Sequence, residues 1–308
     1  MVPIFGVLLL GLGLRRIRLL TRAADETLLR LTLNVLIPCL IWDSIVGNPA
    51  LDQPGNAWWP PLVGFTTVAV GVLLALVAAR AAGLKLPAEV RSFALSTGLY
   101  NWAYMALPLC VALFDKETVG VLFVHNLGVE VCLWTVGIMV LSGGRLRDSW
   151  RKLFNGPVLA ILSGLMLHKL DAEQWIPAPV WSGVSMLGAS AIPLGLLLVG
   201  ATFWDHLGAA DVLRHPRVGV TACLIRLGLL PIGFIVAAAL LPVSHELRAV
   251  MLVQAAMPSA MFPVILAGRY GADVPTAVRV VVWTTVAGFF TMLLWIPWGM
   301  NYLGLAAK

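Results

Sequence analysis

The chain has 308 residues, of which 60% are hydrophobic and only 12% are charged, and its mean hydropathy is +0.91. A water-soluble domain carries about a quarter charged residues because its surface must be wetted, so a soluble fold is excluded and lipid is the expected solvent. The net charge of +6 would suit a nucleic-acid partner, but the basic residues fall between apolar runs, where membrane topology accounts for them better and no nucleic acid is needed.

One membrane span takes roughly 20 mostly apolar residues. Apolar runs separated by polar breaks predict ten spans, near 2–20, 27–47, 57–82, 90–114, 118–141, 155–170, 177–203, 217–241, 246–268 and 276–301. The first lacks a preceding basic region and is followed by arginines, so it reads as a short span and not as a cleavable signal peptide. The second carries "NVLIPCLIW", with Ile37-Pro38 at its centre; Arg30 lies one turn inside it and snorkels, and Asp43 sits near its outer end. The fourth reads "STGLYNWAYMALPLCVALF", with Asn101 and Pro108 near its middle. In the fifth, Glu130 lies one helical turn from Asn126 on the same face, while His125 is about 100° round the helix.

The sixth run, "GPVLAILSGLMLHKL", resembles the first, and the seventh, "GASAIPLGLL", repeats the central Ile-Pro as Ile192-Pro193. The eighth holds Arg226 about 12 Å from its cytoplasmic edge at 1.5 Å per residue, a depth similar to that of Glu130. The two charges form either an ion pair that locks two helices or working groups, with Glu130 taking up a proton or Arg226 offsetting a substrate's charge. The ninth reads "MLVQAAMPSAMFPVILAGRYG", with Pro258 and Pro263. Cys39, Cys110, Cys132 and Cys223 all lie in apolar runs without paired spacing and read as packing residues. The five histidines are dispersed with no ligand spacing, so neither a metal site nor a cofactor nor an enzyme's reactive constellation is expected.

Basic residues set the orientation. Arg15, Arg16, Arg18, Arg22, Arg80, Lys85, Arg91, Arg145, Arg147, Arg151, Lys152, Arg214, Arg217, Arg269 and Arg279 gather on one side, against Lys116, Lys169, Arg248 and Lys308 on the other. The positive-inside bias places residues 142–154 in the cytoplasm and both termini outside. That loop divides the chain into five-span halves, 1–141 and 155–308, and an odd number of spans per half makes the second inverted relative to the first, a signature of secondary transporters.

Spans 4 and 9 correspond in the two halves, and both are interrupted. Proline removes a backbone donor and clashes with the carbonyl four residues earlier, which frees the carbonyls of Tyr104, Gln254 and Ser259. Such groups are tolerated in hydrocarbon only when buried in protein or lining a wet cavity. Half-helix N-termini at mid-membrane carry partial positive charge suited to a carboxylate. The candidate substrate-binding residues are therefore Asn101, Pro108, Asn126, Glu130, Gln254 and Pro258, with Glu130 and Arg226 as coupling or ion-pair candidates.

With "LNVLIPCLIW", "YNWAYMALPLCVALF", "FNGPVLAILSGLML", "MLGASAIPLGLLLVGATF" and "VQAAMPSAMFPVILAGRYGADVPTA" in order, the chain resembles the auxin efflux carrier family, including its bacterial malonate or malate permease-like members. The resemblance implies an all-α, ten-helix plasma-membrane protein of two inverted five-helix repeats. Helices 1, 2, 6 and 7 would form a scaffold that is often a homodimer, and broken helices 4 and 9 would cross in an elevator-like transport domain beside the substrate. Carried over by position, Asn101 matches the polar residue of the span 4 break and Pro258 the span 9 break. Glu130 departs from the uncharged polar residue of plant members, and the long hydrophilic loop of many plant members is missing. The implied activity is secondary transport of a small organic anion, with proton or sodium coupling open; a sodium-coupled symporter of the bile-acid transporter type is the alternative.

Overall fold

The computed structural model describes residues 2–144, 150–207 and 215–307. Each predicted run is occupied by a helix or a pair of helices: α1 (Val2–Arg16), α2 (Arg22–Ile45), α3 (Trp59–Ala78), α4a (Pro87–Gly98) and α4b (Ala106–Leu113), α5 (Lys116–Ser142), and α6 (Gly156–Lys169). They continue with α7 (Ala178–Leu207), α8 (Pro216–Leu240), α9a (His245–Ala256) and α9b (Phe262–Tyr270), and α10 (Val274–Leu303). Six of these, α2, α3, α5, α7, α8 and α10, are unbroken and apolar enough to cross a bilayer, so the chain is a polytopic helical membrane protein. Arg145, Arg147 and Arg214 of the predicted basic side lie outside the described residues.

Local chemistry explains where helices stop and bend. The first span ends at Arg16, earlier than its apolar run predicts: Arg18 adopts a positive φ of 61°, and Arg15 folds back to the Leu20 carbonyl at 2.8 Å and to the Asp25 carboxylate. Pro38 and Pro231 do not break α2 and α8, because each is preceded by a widened π-turn, Thr32–Leu36 and Leu224–Leu229, that relieves the clash with the preceding turn. The carbonyl of Leu227, which Pro231 leaves without its helical donor, accepts the Trp295 indole N–H at 2.7 Å. Asp43 is not merely wetted: it pairs with Lys116 at 3.3 Å and accepts from Ser185.

The helices pack into two groups. α1 lies along α7, and α2 joins α7 to α6; separately, α3, α4a and α5 pack with one another and with α8, α9a and α10. Between the groups α2 meets α5, α5 meets α6 and α4b meets α7. Large apolar side chains such as Leu73, Val77, Met166, Met186, Leu240 and Leu294 cover the outside, where lipid replaces water as the partner.

Closest approach is made by small residues, as expected where lipid gives no hydrophobic drive for helix association. A Cβ on Gly128 of α5 would fall 1.8 Å from the Pro61 carbonyl oxygen of α3, and one on Gly64 would fall 2.2 Å from the His125 oxygen. Gly128→Ala therefore forces two backbones apart. We expect a loss of at least about 1–3 kcal/mol, read as a lower thermal midpoint and reduced yield of monodisperse protein; an unchanged midpoint would contradict the packing.

At the end away from the central loop, exposed Asp52 accepts from Lys169 at 3.0 Å and meets His168 at 3.3 Å. The Lys169 hydrogen bond holds its carboxyl below the usual carboxylate range against the opposing effect of desolvation, with His168 adding to the lowering. A depressed carboxyl contributes stability above its ordinary pKa and loses it as pH falls through the lowered value; at this exposure the contribution is small.

Candidate functional site

The two breaks meet. The carbonyl of Pro258 accepts from the Asn101 amide at 2.8 Å and that of Leu99 from the Ala260 amide at 2.9 Å, so Tyr100 and Ser259 form an antiparallel bridge between segments 150 residues apart or more. Proline chemistry drives the interruption. Leu107 and Leu109 amides reach the carbonyls of Ala103 and Met105, but Pro108 has no N–H for the carbonyl of Tyr104 between them. Pro258 likewise offers nothing to Gln254, whose carbonyl instead takes the Met257 amide at 3.3 Å and an Arg226 Nη2 at 3.4 Å.

A polar knot fixes this crossing to α5. Asn126 Nδ2 donates to the Trp102 carbonyl at 3.2 Å, and Gln254 Nε2 donates to the same carbonyl at 3.4 Å and to Asn126 Oδ1 at 3.1 Å. His125 Nδ1 lies 3.4 Å from that same oxygen. Asn126 and Gln254 are both buried, where an unpaired polar group is costly; Gln254 Oε1 and His125 Nε2 have no partner among the described residues.

On one side of the crossing lies an open cavity of about 410 Å³ between the two helix groups, walled by α2, both α4 segments' junction, α5, the start of α6, α7 and the start of α9b. Its lining is mostly apolar, including Ile37 and Ile192 of the two Ile-Pro pairs, with Asn101, Asn126, Tyr104, Asn155 and Glu130 as convergent polar groups. No Lys, Arg or His contributes to it among the described residues. The Asn101 carboxamide faces the cavity with no hydrogen-bond partner among the described residues, although the residue is only 5% exposed. The N-terminal ends of α4b and α9b border the same space through Ala103, Tyr104, Leu107 and Pro108 and through Ala260, Met261 and Phe262; the Ala106, Leu107 and Leu109 amides of α4b are taken by the carbonyls of Asn101, Ala103 and Met105, so what these termini offer the cavity is chiefly the positive end of their dipoles.

Of the six residues picked as substrate ligands, Asn101, Pro108, Asn126 and Glu130 line the cavity, while Gln254 and Pro258 stand behind it and hold its wall. Glu130 and Arg226 are not paired. Glu130 Oε2 accepts the Trp134 indole N–H at 2.8 Å and Asn155 Nδ2 at 3.2 Å, whereas Arg226 lies on the far side of the crossing, against carbonyls and aromatic rings. Similar depth does not bring them together, because they face different helices. Asn155 was not picked out by sequence. It caps α6, its Oδ1 accepting from the Val158 amide at 3.0 Å; the Asn-Gly-Pro start signals that cap, but nothing local signals its second bond, to Glu130. Beyond Trp134, Lys152 Nζ lies 5.5 Å over the indole and donates to Tyr270 Oη at 2.6 Å.

Comparison with known proteins agrees with this architecture. A family profile described as "membrane transport protein" matches residues 1–296. An "uncharacterized transporter" of Methanothermobacter thermautotrophicus is 23% identical over 298 residues, covering 96% of this chain and 95% of its own.

Proposed function

Because this chain belongs to the membrane transport protein family, the auxin efflux carriers, and is a membrane transporter and not an enzyme, we propose that it is a secondary carrier of a small organic anion, a carboxylate, bound at the crossing of its broken helices. The observation that carries this is one cavity onto which two half-helix N-termini and the unpaired Asn101 carboxamide converge. Each such terminus is equivalent to roughly half a positive charge, and its volume lies within the ordinary range for small-molecule pockets.

The cavity lies at the boundary of the two helix groups, so a sliding of the α3–α5 and α8–α10 group past α1, α2, α6 and α7 would carry its occupant across the bilayer in an elevator-like cycle. Glu130 is the group that couples. An ionised carboxylate and an anion in one cavity repel, so the substrate enters when Glu130 carries a proton, and the two cross together. The halves 1–141 and 155–308 are proposed as inverted repeats, on the strength of the matched breaks and of Ile37 and Ile192 facing one cavity. We place the carrier in the cell membrane with both termini outside, and its scaffold helices as the homodimer contact.

A thermal-shift series on purified protein tests the substrate class. Small mono- and dicarboxylates and indole acids are expected to raise the melting midpoint in a concentration-dependent way, since a ligand stabilises the state it binds, while the matching amides do not. Stabilisation by amides or by organic cations alone would reject an anion carrier.

A further inference from the structure

Arg226 is a full charge with 0% exposure, set in the widened turn Leu224–Leu229 of α8. No carboxylate lies within ion-pair distance of it among the described residues. Its Nη2 donates to the carbonyls of Gln254 at 3.4 Å and Ala255 at 3.2 Å, at the C-terminal end of α9a. Its guanidinium lies 5.1 Å from the Tyr100 ring centroid and 5.2 Å from that of Phe234, while Nε and Nη1 have no acceptor among the described residues. A buried charge without a counter-ion is costly, and what offsets it here is the negative end of one half-helix and two aromatic faces.

In carriers with interrupted helices, unwound carbonyls and half-helix C-terminal ends are where a coupling cation is held. In this protein the C-terminal end of α9a is already occupied by a side chain. We propose that Arg226 is a tethered substitute for a coupling cation: it caps α9a, positions the crossing, and leaves no place there for sodium. The guanidinium reaches no wall of the cavity and so acts as a positioning residue. It presses on the Tyr100 ring, whose backbone forms the bridge to Ser259 and whose neighbour Asn101 faces the substrate. A fixed cation on one side of that strand also favours an anion on the other. The inference rests on the carrier reading, but its test needs no substrate.

Melting midpoints of wild-type protein in lipid nanodiscs are compared in sodium, potassium and choline chloride at matched ionic strength. They are expected to agree within about 1 °C. Arg226→Ala is expected to lower the midpoint by at least about 5 °C and to recover a good part of the loss with about 10 mM guanidinium chloride, but not with tetramethylammonium, which cannot donate to the two carbonyls. Arg226→Lys keeps a charge in place and is expected to ignore both additives. A sodium-specific rise in the wild type would overturn the proposal, as would an Arg226→Ala protein that guanidinium leaves unrescued. Should Arg226→Ala fail to fold, the wild-type ion series and Arg226→Lys decide: a sodium response in either refutes it, and indifference in both supports it.

Discussion

Asn101→Leu is expected to lower carboxylate uptake into proteoliposomes by at least about 100-fold while leaving the melting midpoint nearly unchanged. The two side chains share the same branched four-atom shape, and the Asn101 carboxamide has no hydrogen-bond partner among the described residues, so its loss strands no protein group. The backbone amide that reaches the Pro258 carbonyl is untouched. What disappears is a polar contact to the substrate in a mostly apolar cavity, and sites built to hydrogen-bond a ligand lose several orders of magnitude when one partner of the bond is removed. Gln254→Leu supplies the contrast. It withdraws the donor from Asn126 Oδ1, left under-satisfied at about 1–3 kcal/mol, while the Trp102 carbonyl keeps its bond from Asn126 Nδ2, so both the midpoint and uptake should fall. If Asn101→Leu behaves like Gln254→Leu, Asn101 is structural; if it transports normally, the cavity wall has been misassigned.

Glu130→Gln should abolish the pH dependence of uptake. In the wild type, uptake of an anion is expected to rise as pH falls, over the window in which the substrate's own carboxylate stays ionised, because only the protonated Glu130 shares the cavity with the substrate. Glutamine mimics that form permanently and still accepts the Trp134 and Asn155 hydrogen bonds that orient the side chain. The variant should bind anions equally well across this window yet lose the ability to concentrate them against a gradient when a proton gradient is imposed. A pH profile that survives the substitution, together with full accumulation, removes Glu130 from coupling.

Much of this is legible in the amino-acid sequence. Matched prolines in spans 4 and 9 located both breaks, because proline's missing donor and its clash are local properties of the chain. The spacing of Asn126 and Glu130 puts them on one face of span 5, and both line the cavity. Other features depended on partners that sequence does not display. The depth of Arg226 suggested a carboxylate partner, but depth fixes only one coordinate, and the helix rotation that turns it toward Gln254 and Ala255 comes from packing. The π-turns ahead of Pro38 and Pro231 kept two helices continuous where a proline alone would argue for a kink. Gln254 and Pro258 were picked as ligands because they flank the break; the pairing of the two breaks turns them to the rear of the wall, where they support Asn126 and Asn101.

The labelling rate of a single introduced thiol, Ala103→Cys, bears on all of this at once. Ala103 borders the cavity in the turn just before α4b and is partly exposed; the native Cys39, Cys110 and Cys132 are buried, and the partly exposed Cys223 is first replaced by Ser. Reaction of this variant with a negatively charged thiosulfonate should slow in proportion to the concentration of a transported carboxylate, and its amide should have no effect. A carboxylate that is transported by the same proteoliposomes, yet leaves the labelling rate unaltered at every concentration, would mean that the anion crosses the membrane somewhere other than between the two broken helices.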